Sequence, residues 1–362
     1  MEKNKTIVVS GMRPTGRLHL GNYWGALKNW ISLQDKHSCY FFVADWHALT
    51  TGQEKSGEIR KNSVDMVIDW LTAGLDPEKC VIFRQSDIKE HAELYLLLGM
   101  VAPITWLLRN PSFKEQLMEL YAQKYKGQEV KMKETGGMSE KLIQAHTDGD
   151  EDIALHSEFS NYGFLGYPVL QAADIFMYSA DYVPVGKDQL PHLELSREIA
   201  RRFNHVFGRK VFKEPEPLLT ESPVVPGIDA RKMSKSYGNT IELGEEQKSL
   251  ETRIRQMYTD PAKVKANDKG HPEGCVVFAF HGLYNSQWPL IERECREGMT
   301  GCVACKKRLL DIIGPVVSEF REKRLKYEKN PSLAENVLKE GAKKAVQTAA
   351  KTMEKANNAA GI

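Results

Sequence analysis

Three short apolar runs, TIVVSG (6–11), SCYFFV at the start of 38–50, and CVIFRQSD (80–87), are separated by stretches of helical periodicity. This alternation constrains the fold more than any other feature of the chain. Each run is too short for a helix of its own and reads as a buried strand. Between the first two, Tyr23, Leu27, Trp30 and Ile31 share one face of a helix expected from about Asn22 to Gln34. Between the second and third, EIRKNSVDMVIDWLTAGL reads as a helix ending at Gly74, and ADWHALT reads as a loop after the second strand. Strands alternating with helices predict an α/β fold with a doubly wound parallel sheet. Such sheets bind ligands beyond the carboxyl ends of their strands.

The rest of the chain divides in two. Residues 123–160 are polar and glycine-containing and read as an insertion. The run DGDED within it lacks the spaced ligands, central glycine and final glutamate of a calcium loop, so it reads as solvated loop. Residues 167–203 return to helix, strand-like YVPVG, and helix; a proline-rich passage then leads to RKMSKSYGN, and beyond it the pattern is mostly helical. A length of 362 residues suits two domains. The expected division is a catalytic domain 1–230, a loop 231–245, a helical domain 246–335 and a C-terminal helix 336–362. Net charge is only +2, so any basic face must be local. One candidate is 306–329, with eight basic and four acidic side chains. The apolar run near the N-terminus is too short for a signal peptide, and no stretch approaches a membrane span, so a cytosolic protein with no membrane partner is expected.

GMRPTGRLHLGNY lies between a strand and a helix, where backbone N–H groups and the helix dipole favour an anion. Gly11, Gly16 and Gly21 allow close approach of a ligand. His19 and Asn22, three apart at the helix mouth, are neutral donors suited to phosphate oxygens. Alone, the stretch reads more readily as a tight turn with a satisfied histidine. Some two hundred residues later KMSKS places Lys232 and Lys235 around small polar residues, a pair of cations fit to neutralise a leaving pyrophosphate.

His19-Leu20-Gly21-Asn22 followed by Lys232–Ser236 resembles the HIGH and KMSKS signatures of the class I aminoacyl-tRNA synthetases, with Asn22 in place of the second histidine. SGMRPTGRLHLGNYWGAL, DWHALT, YPVLQAADI, VPVGKDQLPHLELSREIARRFN and the tail EGAKKAVQTAAKTMEKANNAAGI are similar to the bacterial-type tryptophanyl-tRNA synthetases. The resemblance implies a Rossmann-type catalytic domain, a helical anticodon-binding domain and a homodimer. It implies that tryptophan and ATP, with Mg²⁺, give tryptophanyl-adenylate, and that tryptophan then passes to its tRNA.

It also implies roles for particular residues. His19 and Asn22 meet the phosphates, Gly21 leaves room for adenine, and Gly186 and Asp188 hold ribose or the adenylate. Met233 and Ser234 belong to the ATP site, Lys232 and Lys235 bind pyrophosphate, and Arg13 beside the mouth reaches ATP. Tryptophan offers one side-chain donor, the indole N–H, so its pocket wants a buried acceptor; Asp174 matches the family's specificity aspartate. Tyr167 and Gln189 match positions for the amino and carboxylate groups, and Gly11, His47, Val183 and Val185 line the pocket. The tyrosyl enzyme also places an aspartate in this helix, so Asp174 alone does not exclude tyrosine.

Four of the six cysteines gather at Cys275-x19-Cys295-x6-Cys302-x2-Cys305. They read as unrelated buried thiols, a four-cysteine zinc site or an iron–sulfur cluster. Zinc prefers two short knuckles and only one is present, whereas clusters accept irregular spacing. The resemblance extends to a subset of the family with a 4Fe-4S cluster in the anticodon domain. Lys306, Lys307 and Arg308 follow Cys305 directly and would face tRNA. Two other readings remain: a tyrosyl-tRNA synthetase, and a synthetase-derived iron–sulfur RNA-binding protein without catalysis.

Overall fold

The computed structural model describes residues 5–110, 161–219 and 224–362, so the 123–160 insertion lies outside the described residues. Five strands form one parallel sheet: β1 (Ile7–Met12), β2 (Ser38–Val43), β3 (Cys80–Arg84), β4 (Tyr182–Val185) and β5 (Glu216–Leu219). Their order is β3-β2-β1-β4-β5. The chain winds outward from β1 in one direction, then returns to β1's other side, which puts the topological switch between β1 and β4. β5 was not expected from KEPEPLL. Pro217 pairs opposite Val183, and a strand carrying proline is tolerated here because it lies at the sheet's edge.

Strands β1 to β3 bury side chains on both faces, and β4 on one. Val8, Phe41, Val43 and Ile82 point into one apolar core, and Val9, Phe42, Phe83, Val183 and Val185 into the other. The first core is covered by the helix after β1 and by the long helix Ser56–Ala73. That first helix begins as α1 (Leu20–Asn22), widens into a π turn at Tyr23–Leu27 and continues as α2 (Lys28–Leu33), so it starts earlier than its apolar periodicity predicts. Trp30 stacks on Phe41 at 4.6 Å and meets Trp70 edge-on at 5.2 Å. The stretch after β2 is a short helix, α3 (Asp45–Leu49), rather than loop. α4 (Ser56–Ala73) ends as expected at Gly74, whose φ of 115° suits glycine. β3 is shorter than its apolar run: Gln85–Asp87 curl into a single turn at its carboxyl end.

The second core is covered by α5 (Glu90–Gly99), α6 (Ile104–Leu108), α7 (Tyr162–Met177) and α8 (Leu190–Val206). Past the KMSKS loop come α9 (Gln247–Gln256), α10 (Val276–Tyr284), α11 (Trp288–Arg296) and α12 (Cys302–Glu328). Their apolar residues, among them Leu250, Phe280, Leu309 and Ile313, are continuous with the first core. Trp24 Nε1 donates to Tyr284 Oη at 2.8 Å and ties the π turn to α10. The last helix, α13 (Ser332–Ala360), returns to the sheet and lies along the β3 edge, contributing Leu338 to one core and Ala345, Ala349 and Met353 to the other. Covering an exposed strand edge with a helix removes a template for unwanted pairing. Among the described residues no helix is long and apolar enough to cross a membrane.

Candidate active site

At the mouth of the first helix, His19 and Asn22 cap each other. The Asn22 backbone N–H donates to His19 Nδ1 at 3.3 Å, and the His19 N–H donates to Asn22 Oδ1 at 3.1 Å. This reciprocal box satisfies two helix-end donors. It also sets the tautomer: Nδ1 accepts, so the ring proton sits on Nε2 and is free to be offered elsewhere. Burial, assisted by the charge of Lys235, lowers the His19 pKa from 6.5 to about 4, so the ring is neutral at physiological pH. The unfolded chain takes that proton near 6.5 and the folded one only near 4. Stability is therefore in full above the first value and falls between the two, by on the order of 3 kcal/mol. Denaturation midpoints at pH 5 and pH 7 should differ by less in His19→Asn than in the parent.

The KMSKS loop is stitched to this mouth through the backbone. Leu20 N–H donates to Ile241 O at 2.9 Å, and Leu243 N–H to Leu18 O at 3.0 Å. Lys235 Nζ donates to Thr15 O at 2.6 Å, and the Gly21 N–H points to Met233 Sδ at 3.4 Å. A Cβ on Gly21 would stand 2.9 Å from His19 Nδ1 and 3.3 Å from Met233 Cβ, so glycine is what lets the two signatures close on each other. Met233 is buried, whereas Lys232 is exposed. Ser234 N–H donates to Asn239 Oδ1 at 2.8 Å and its hydroxyl lies 2.9 Å from that of Ser236, which shapes the loop.

A cavity of about 410 Å³ opens at the carboxyl ends of β1 and β4, where the strand order reverses. It gathers Gly11, Arg13, His47, Tyr167, Asp174, Val183, Val185, Gly186 and Gln189, all singled out from the sequence. A Cβ on Gly11 would strike the Phe42 ring at 2.5 Å, so the wall is close-packed there. The side chain of Asp188 lies outside the described residues.

Asp174, on α7, is the centre of this cavity's polar chemistry and is 2% exposed. His47 Nε2 lies 2.9 Å from Oδ2, Gln85 Nε2 donates to both oxygens at 2.7 and 3.0 Å, and His91 Nδ1 lies 2.6 Å from Oδ1. Burial alone would raise this carboxyl, but the bonds from His47 and His91 outweigh it and hold it below the usual value. It stays ionised, so both imidazoles present N–H to it. His91 Nε2 then faces the Tyr178 hydroxyl at 2.7 Å and can accept its proton bond. A carboxylate offers about four acceptor positions, and each oxygen already takes two contacts, the shared Gln85 amide counted on both; a donor from the cavity would take the place of one of them.

Gln85, His91 and Tyr178 were missed from the sequence. Gln85 sits in QSD directly past β3, where ligands of such sheets are expected, so position could have found it. Nothing local marks His91 or Tyr178. Asp45 fixes the same turn, accepting from the Ser86 N–H and the Trp46 N–H at 3.0 Å each and from the Ser86 hydroxyl. His192, buried at the cavity wall within 3.4 Å of the Tyr167 hydroxyl, was also missed.

A family model described as tRNA synthetases class I (W and Y) matches residues 1–136 and 137–317. The chain belongs to the class I tRNA synthetases for tryptophan and tyrosine. Among curated relatives, the tryptophan–tRNA ligase of Aquifex aeolicus is 45% identical, with 97% of this chain and 98% of that protein covered. That of Thermotoga maritima is 43% identical with the same coverage. The tryptophanyl-tRNA synthetase of Campylobacter jejuni, solved with ADP and tryptophan, is 31% identical, covers 99% of this chain and 100% of its own, and superposes with a TM-score of 0.79.

In this class I synthetase the four clustered cysteines converge from three helices. Cys275 precedes α10, Cys295 lies on α11, and Cys302 and Cys305 open α12. All four line one cavity, shared with Lys263, Phe278 and Ile291. A Cβ on Gly270 would come within 2.6 Å of Cys295 Sγ, and His281 Nε2 lies 3.5 Å from Cys305 Sγ. Among the described residues no group of three or more His, Cys, Asp or Glu is arranged to hold a metal ion. The thiols are thus brought together without forming a cage for a single zinc. Lys306 Nζ donates to Arg255 O at 2.7 Å, and Arg308 is paired with Glu294; Lys307 is exposed.

Proposed function

We infer that this chain is a tryptophan–tRNA ligase: it activates L-tryptophan with ATP to tryptophanyl-adenylate and pyrophosphate, then passes tryptophan to its tRNA. Relatives identical at 45% and 43% over nearly the whole chain are tryptophan–tRNA ligases, and this carries the assignment over tyrosine. The signature residues and Asp174 are all present, which favours catalysis over RNA binding alone.

Adenylate formation is an in-line attack by the tryptophan carboxylate on the α-phosphorus of ATP, with pyrophosphate leaving. The protein supplies no nucleophile; it aligns the reactants and stabilises the charge that develops. In this reading the Nε2–H of His19 and the amide of Asn22 meet phosphate oxygens. Lys232 and Lys235 take the pyrophosphate charge together with the Mg²⁺ that ATP brings. Gly21, Met233 and Ser234 shape the adenine side, Arg13 reaches ATP, and Gly186 and Asp188 hold the ribose. Asp174 accepts the indole N–H, Tyr167 and Gln189 orient the amino acid's head group, and Gly11, His47, Val183 and Val185 enclose the ring. Residues 1–230 then form the catalytic part, 231–245 the signature loop, and 246–335 the part facing tRNA. The C-terminal helix braces the sheet, and two copies form a homodimer. Charging of tryptophan tRNA by purified protein tests the whole reaction: tryptophan should be attached and tyrosine not. Attachment of tyrosine instead would overturn the assignment.

We propose further that Cys275, Cys295, Cys302 and Cys305 hold a 4Fe-4S cluster that braces the helical domain. The reading is supported by four cysteines that line one cavity and by a spacing with only one short knuckle, which suits a cluster better than a zinc site. When bound, such a cluster would act here as a structural staple. Protein purified without oxygen should contain about four iron and four acid-labile sulfide per chain. Folded protein carrying one zinc, or no metal at all, would exclude the cluster.

A further inference from the structure

We propose that Arg324 is a positioning residue for adenylate formation: from the far end of the helical domain it fixes, through Asp69, the backbone that carries the HLGN signature. The proposal rests on the assignment of that signature to the ATP phosphates.

Arg324 and Asp69 are 2% and 1% exposed. Asp69, on α4, uses its two oxygens differently. One accepts from Arg324 Nη1; the other accepts the Leu18 N–H at 2.6 Å, one residue before His19. Three of the remaining four N–H donors of Arg324 are also engaged. Nη1 reaches Asp65 O at 3.2 Å, Nη2 reaches Asp65 Oδ1 at 3.1 Å, and Nε reaches Glu328 Oε1 at 2.8 Å. Glu328 in turn accepts from Arg17 Nη2 at 2.8 Å, on the other side of Leu18.

The second signature rests on the same helical turn. Leu18 O accepts from Leu243, and at the next residue a Cβ on Gly244 would lie 3.5 Å from Arg324 Cδ and 3.7 Å from Arg321 Cα. The backbones flanking HLGN and following KMSKS therefore meet over one guanidinium. α12 begins at Cys302 and runs 27 residues; the 22-residue step from Cys302 to Arg324 is about 33 Å of helix from the thiol cluster to the catalytic mouth.

A buried ion pair is poor evidence for net stability, because desolvating both charges offsets most of their attraction. Burial pushes the Asp69 carboxyl up to about 6 even with Arg324 beside it. An apolar pair of similar volume would pack the same space. What it would not supply is an acceptor for the buried Leu18 N–H and a fixed distance between α12 and the signature loop.

The test separates positioning from stability. Arg324→Met combined with Asp69→Leu replaces the pair with apolar side chains, and Arg324→Lys keeps the charge but loses the fork. Each is compared with the parent in thermal unfolding, in ATP–pyrophosphate exchange, and in tryptophan affinity measured without ATP. The double variant should keep its tryptophan affinity while its KM for ATP rises about tenfold and its kcat falls about tenfold. Arg324→Lys should fall between, and decides the matter if the double variant does not fold. Parental ATP constants in either folded variant would overturn the proposal. So would equal losses for ATP and tryptophan, the mark of general loosening. His19→Asn is measured in parallel. If it leaves the ATP constants unmoved, the assignment of the signature has failed; if it moves them and the Arg324 variants do not, only the positioning role has.

Discussion

Asp174→Asn should lower kcat/KM for tryptophan in ATP–pyrophosphate exchange by about 10²-fold, with most of the loss in KM. The carboxylate accepts from His47, Gln85 and His91 at once. An amide keeps the shape but turns one acceptor into a donor, so an N–H is set against an N–H already there. A buried hydrogen bond to a charged group is worth about 1.5–3 kcal/mol, and the upper end corresponds to about 10²-fold. The indole N–H is bound in ground and transition states alike, so its loss raises KM more than it lowers kcat. Exchange kinetics over a range of tryptophan concentrations measure both constants. An unchanged KM would remove Asp174 from the role of indole acceptor.

Gly341→Ala should destabilise the fold by about 3 kcal/mol, whereas the same change at an exposed helix position stabilises by about 1 kcal/mol. The sign reverses because a Cβ at Gly341 would lie 1.7 Å from the carbonyl oxygen of Ile82 and 2.6 Å from its carbon. Those atoms are strand backbone, held in the β2–β3 ladder, and cannot yield as a side-chain tip would. α13 must then lift from the β3 edge, loosening the contact of Thr352 Oγ1 with Met177 O at 2.8 Å and the packing of Ala345 and Ala349. Urea unfolding of the variant gives the change directly; equal or greater stability would mean that the helix does not pack on β3 as described.

The parallel sheet was legible because strands buried on both faces leave nearly unbroken apolar runs, as in IVVSG and CYFFV. β5 was not, since its prolines read as linker and only its place at the edge makes them tolerable. The start of the first helix was misplaced because its cap is a histidine paired with an asparagine rather than a serine or aspartate followed by glutamate. Gly11 and His47 were found where motif and strand end coincide, whereas Asp174, inside α7, was found through the family resemblance. His91, on α5, and Tyr178, just past the end of α7, escaped because they act behind Asp174 and no motif marks them. Arg324 escaped for a related reason: in sequence it is one cation in a basic stretch, and only the fold places it against Asp69. The contacts of Lys306 with Arg255 O and of Arg308 with Glu294 were likewise not legible, since their partners lie far off in sequence.

The most direct test of the central claim is ATP–pyrophosphate exchange by the parent protein with each amino acid in turn. Exchange supported by tryptophan, with tyrosine at background, is the predicted result. Exchange driven by tyrosine, or by no amino acid in protein shown to be folded, would contradict it.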